Sequence, residues 1–136
     1  MADLPQGYID DVAIDGPIRL LRRVPEDLWR DGVIESSSFD EREEGCGLSV
    51  TVWSSPNDLE DVQRGHAKFG VICVTAAAFR FESALIARVP LEGNPNHCEV
   101  FPRMGKKARR RLRDASVWVH YGEWVSAEHR GPTEPF

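Results

Sequence analysis

The chain predicts an α+β fold: a single domain with a mixed, mostly antiparallel sheet of about five strands and two or three helices. Three observations lead there. Short stretches rich in β-branched and apolar residues recur along the chain, each bounded by Gly, Pro or Asn. Two longer stretches, 54–70 and 104–120, place apolar residues at helical spacing. No linker long enough to divide two domains separates any of them.

Taken in order, residues 1–16 read as an acidic, flexible arm, punctuated by Gly16-Pro17. "IRLLRRVP" is the first strand, ended by Pro25. "PEDLWRDG" suits one helical turn, with Pro25 at its start, Glu26 and Asp27 at its positive end and Gly32 at its exit. The acidic loop "DEREEGCG" separates "VIESSSF" from the second strand, "LSVTVW". "SSPNDLEDVQRGHAKFG" opens with capping serines, a proline and acids, then sets Leu59, Val62 and His66 along one helical face. "FGVICVTAAAFRF" is a continuous apolar run that fits a buried central strand. "SALIARVP" and "HCEVFP" are two further strands joined through the turn "LEGNPN". In the last helix Ala108, Leu112, Ala115 and Val119 form one apolar stripe. The main domain so covers 17–125, and 126–136 is a C-terminal tail.

Composition bounds the class. A chain of 136 residues with 41% hydrophobic and 29% charged content can bury its own core. Cys46, Cys73 and Cys98 have no paired spacing, and the acidic opening "MADLPQGYIDDVAIDG" lacks the apolar segment of a secretion signal. A reduced, cytoplasmic protein is expected. The longest apolar run is too short for a membrane span, and no ligand spacing for a metal is present. The net charge of −5 is unevenly spread: residues 1–44 carry twelve acids and five arginines, whereas 103–113 carries seven basic residues and no acid. Either the basic segment steers a partner or the two regions neutralise each other.

Candidate chemistry concentrates in three places. On a strand, "HCEVFP" sends His97 and Glu99 to one face and Cys98 and Val100 to the other. That separates Cys98 from His97 and makes it a core residue. It leaves His97 and Glu99 as an acid–base candidate pair beside the Asn94-Pro95-Asn96 turn, with Asn94 in reach of a ligand. The alternative is a solvated face with a cross-strand pairing to Arg88. The strand arginines Arg22 and Arg23 call for a fixed anion, either a carboxylate of the chain or a ligand phosphate. The hydroxyls of Ser36, Ser37 and Ser38 suit a phosphate or a ribose, and equally a helix cap.

The order Arg22 or Arg23, then Ser36-Ser37-Ser38, then Glu99 resembles the arginine–serine–glutamate layout of ADP-ribosyltransferase-like domains. Ser37 stands where that family favours threonine, and His97 stands two positions before the glutamate. The resemblance implies that the arginine anchors NAD, a serine holds the nicotinamide ribose, and Glu99 stabilises the oxocarbenium-like state as nicotinamide leaves. The first expectation is therefore a domain that binds a nucleotide or NAD-like ligand, with ADP-ribosyl transfer or NAD cleavage as its chemistry. A second is a non-catalytic module of a bacterial operon that docks an acidic protein partner. A third is nucleic-acid binding through Lys106, Lys107, Arg109, Arg110, Arg111 and Arg113 on helix 104–120, against which stands the acidic sequence pI near 5.4.

Overall fold

The computed structural model describes residues 4–136. Eight strands are present: β1 (Arg19–Val24), β2 (Trp29–Arg30), β3 (Val33–Ile34), β4 (Leu48–Val52), β5 (Gly70–Thr75), β6 (Leu85–Arg88), β7 (His97–Phe101) and β8 (Val117–His120). Three α-helices accompany them: α1 (Pro56–Gln63), α2 (Ala76–Phe81) and α3 (Lys106–Ala115). Six strands make one sheet in the order β6-β7-β4-β1-β5-β8, and β2 pairs with β3 in a small hairpin. Every pairing in the large sheet is antiparallel, so the expected parallel admixture is absent from the described residues.

Two expected elements are divided differently. The run 69–81 is a strand only to Thr75, because the Thr75 hydroxyl accepts the Ala78 amide and starts α2 on three alanines. The basic helix stops at Ala115. Ser116 folds its hydroxyl back onto the Arg113 carbonyl, and the β-branched Val117 and Val119 then leave as β8, the sixth strand. The turn at 25–32 is present as a 3-10 turn, Glu26–Leu28.

Strand alternation sorts the apolar side chains into two layers. Leu20, Val24, Val50, Val52, Ile72, Val74, Cys98 and Val100 face the larger core, closed by Phe39, Phe79 and Leu112. Leu21, Val71, Cys73 and Val119 face the other way and meet Trp53 and α1 through Val62 and Leu59. A capping box fastens α1: the buried Asp58 carboxylate accepts the Ser54 and Ser55 amides and the Asn96 side chain. Trp118 meets Trp29 and Trp124 edge to face, and the three tryptophans pack against the larger core.

Of the arm, residues 4–16 are described, and their inner part is held in place. Ile14 is fully buried. Arg80 donates to the carbonyls of Asp11 and Ile14 and pairs with Asp10 at 2.7 Å, while the Ile86 amide donates to the same Asp10 carboxylate. The expectation of looseness misses Arg80, which is 66 residues distant in sequence from Ile14. The tail is also engaged: the Glu134 amide donates to Trp118, and Phe136 lies against Trp53.

Candidate functional site

The site begins where β1 and β4 part. These strands share a register at only two pairs, Leu20 with Val52 and Leu21 with Thr51, although β1 continues beside β5 to Val24. Arg22 fills the parting. Its Nε donates to the Ser38 carbonyl at 2.6 Å and its Nη1 to the Ser49 carbonyl at 2.7 Å, replacing ladder bonds with side-chain bonds. Burial pushes its pKa down to about 10, helped by Arg42 and Arg23 and opposed by Glu99 and Asp40. The guanidinium stays charged at neutral pH with backbone carbonyls as its main partners.

Beside it opens a cavity of about 340 Å3, at the lower end of the range that holds small ligands. Arg22 and Arg23 of β1, Ser49 and Thr51 of β4, and His97 of β7 form its floor, and Asp61 and Arg64 stand on one rim. Leu91, Glu92, Gly93 and Asn94 form the other rim. Arg64 clasps the two: its Nη1 donates to the Gly93 carbonyl and its Nη2 to Asp61, both at 2.9 Å. Gly93 holds φ at +76°, and a Cβ there would approach that Nη1 to 3.1 Å.

Arg23 is the unusual residue. Its guanidinium makes one hydrogen bond, to the Val62 carbonyl at 3.1 Å, and no ion pair among the described residues. Burial lowers its pKa, and Arg42 lowers it further. A guanidinium carries five N–H donors, so most of Arg23's are left facing the cavity.

His97 and Glu99 share the face that alternation predicted, and β4 sets Thr51 opposite His97 and Ser49 opposite Glu99. The buried His97 places Nδ1 at 3.0 Å from the Val89 carbonyl and Nε2 at 3.8 Å from Glu99 Oε1. Ser49 donates to the other Glu99 oxygen at 3.4 Å. Burial pushes the Glu99 carboxyl up, against the pull of His97, Ser49 and Arg22. Glu99 faces a second, smaller cavity that Arg22 and Ser49 also line, together with Glu41, Arg42, Glu43 and Cys46. Arg88 pairs with Asp11, not Glu99. Cys98 is fully buried, and burial pushes its thiol up to about 11, so it is a core residue.

The structure thus gathers Arg22, Arg23, Asn94 and His97 at one cavity and Glu99 at its neighbour. It does not bring in the serine hydroxyls. Ser36, Ser37 and Ser38 form a 3-10 turn that contributes lining to neither cavity; Ser38 is buried with its hydroxyl unpartnered, and it meets Arg22 only through its carbonyl. Sequence reasoning missed Thr51, Asp61 and Arg64. The Thr51 alternation in "LSVTVW" contains the signal for the first, whereas the rim contact of Arg64 depends on tertiary approach.

The basic helix is partly paired. Arg103 and Arg109 meet Asp40, Arg111 forms a two-pronged pair with Glu82, and Arg113 meets Asp114. Lys106, Lys107 and Arg110 make no ion pair among the described residues. No group of metal-ligating side chains and no helix long and apolar enough to cross a membrane occurs among the described residues. Comparison with protein-family models, with curated proteins and with solved structures found no match to this chain.

Proposed function

We propose that this protein binds a small phosphate-bearing ligand of the nucleotide class in the cavity between β1, β4, β7 and the C-terminal end of α1. One observation carries the reading: Arg23 is half-buried at the cavity floor with a single carbonyl partner and no carboxylate. Its remaining N–H groups are not sealed from solvent; they are free to take an oxyanion that enters the cavity, in the fork geometry a guanidinium offers phosphate. Arg22 adds positive field from within the sheet, and Arg64 stands at the mouth. The apolar side chains of Leu21, Val50, Val62 and Leu91 offer contact for the uncharged part of such a ligand.

NAD and ADP-ribose are the first ligands to test, since the arginine–glutamate part of the proposed ADP-ribosyl chemistry stays together at Arg22 and Glu99. The serine part would need a different ribose contact, for which Ser49, Thr51 and Asn94 are available in the cavity lining. Calorimetric titration with AMP, ADP-ribose and NAD should show saturable binding that Arg23→Gln weakens tenfold or more and Arg110→Gln leaves intact. Absence of heat with all three, or equal affinity in Arg23→Gln, overturns the proposal. Release of nicotinamide from NAD, lost in Glu99→Gln, would extend it to catalysis.

A further inference from the structure

We infer that His97 in the wall of this cavity and Glu99 at the neighbouring one form a proton-binding pair, and that occupation of the first cavity by a dianion draws one additional proton onto the pair. The inference rests on the anion-binding reading above and specifies how that site recognises charge.

Geometry carries the argument. The Val89 carbonyl can only accept, so His97 Nδ1, 3.0 Å away, must carry a hydrogen. In a neutral imidazole that assignment leaves Nε2 bare. Nε2 is the nitrogen that faces Glu99 Oε1 at 3.8 Å, so an ionised carboxylate there confronts a lone pair with a lone pair. One proton resolves the contact, held by the imidazole as a cation or by the carboxyl as an acid. The two sites are close enough that the proton belongs to the pair rather than to either residue.

The charged groups around the pair come from four elements. Arg22 and Arg23 of β1 face it from the sheet, and Asp61 and Arg64 close the rim from α1. Glu92 stands on the loop between β6 and β7, and Glu41, Arg42 and Glu43 approach Glu99 from the loop before β4. The opposite strand β4 presents only the hydroxyls of Ser49 and Thr51. In the free protein the two sheet arginines disfavour a further positive charge beside them. A dianion held by Arg23 reverses that field: it repels a carboxylate at Glu99 and attracts an imidazolium at His97. Both effects favour the protonated pair. The sign of the linkage follows: affinity for a dianion is highest at low pH and falls as pH rises through the titration of the occupied pair.

Sulfate is a suitable probe because it does not titrate between pH 5 and 9, so any proton taken up belongs to the protein. The imidazole C–H signals of His66, His97, His120 and His129 would be followed by NMR over that range, with and without sulfate, at ionic strength fixed by chloride. His97→Gln assigns the signal. Sulfate should raise the His97 midpoint by about half a pH unit or more, as expected for a charge held a few ångströms away. His120 and His129 should stay still, His66, which the Arg23 charge already lowers, should rise less than His97, and Glu99→Gln should lower the His97 midpoint in the free protein. Sulfate binding, seen as heat, with an unmoved His97 midpoint overturns the proton-binding pair and leaves the anion site standing. An equal shift at all four histidines, or no response of His97 to Glu99→Gln, also overturns it. No heat with sulfate or AMP overturns both readings.

Discussion

Arg22 and Ser49 are joined side chain to backbone, Nη1 to carbonyl at 2.7 Å, across the point where two neighbouring strands cease to pair. The same guanidinium reaches Ser38 with Nε, so one residue ties three segments of chain. Arg22 is thus held by backbone carbonyls within the sheet, whereas its neighbour Arg23 has one carbonyl partner, at the cavity that both line.

That division predicts opposite phenotypes for the two arginines. Arg22→Ala leaves the Ser38 and Ser49 carbonyls without their donors and should cost about 3 kcal/mol in urea unfolding. Arg23→Ala removes one carbonyl contact and should cost less than about 1 kcal/mol while abolishing anion binding. A stable, fully binding Arg23→Ala would contradict the division.

Asp58 predicts an acid-sensitive helix start. Burial works against its charge, yet hydrogen bonds from Asn96, Ser54 and Ser55 outweigh that and hold the carboxyl below its ordinary value. A carboxyl lowered in the folded state stabilises above its unfolded pKa and loses that contribution as pH falls through the folded value. Asp58→Asn should therefore cost about 1–2 kcal/mol at pH 7, and the difference from the parent should shrink below about pH 4. Urea unfolding at pH 7 and pH 3.5 measures both.

Glu99 predicts the reverse sign. Burial raises its carboxyl in the folded protein, so folding is disfavoured once pH rises above the unfolded value and the charge forms. Glu99→Gln should increase stability at pH 7 and lose the advantage in acid. Thermal unfolding at the two pH values, with Ser49→Ala as a control for the retained hydrogen bond, checks the sign.

The basic helix should bind nucleic acid poorly. Asp40 and Glu82 engage Arg103, Arg109 and Arg111, which lowers the field of the seven basic residues on a chain that is acidic overall. Duplex DNA should show no saturable shift at 150 mM salt in an electrophoretic assay. Replacing Asp40 and Glu82 together with alanine should release the arginines and produce salt-sensitive binding.

The α+β class and five of the six large-sheet strands were legible because each is short, β-branched and bounded by turn residues. The sixth was hidden because Val119 also completes a helical stripe with Ala108, Leu112 and Ala115; a single hydroxyl at Ser116 decides the matter. Thr75 hid α2 in the same way, as a β-branched residue whose side chain acts as a cap. At the site, alternation alone placed His97 with Glu99 and buried Cys98. It could not separate the roles of Arg22 and Arg23, because these depend on where β4 departs from β1. The serine triplet misled because its hydroxyls matter less than the carbonyl of Ser38, a group that every residue carries.

The contacts of Asp10, Asp11 and Glu134 have a consequence for association between molecules. β6 and β8 flank the large sheet, and an outer strand with free amides and carbonyls invites a second chain to pair with it. Asp11 donates its amide to Ile86, Asp10 takes the Ile86 amide, and Glu134 occupies the Trp118 carbonyl. Each outer strand therefore meets a segment of its own chain where a neighbour would otherwise add on. Arg80, by gripping residues 10–14, keeps the cover over β6 in place.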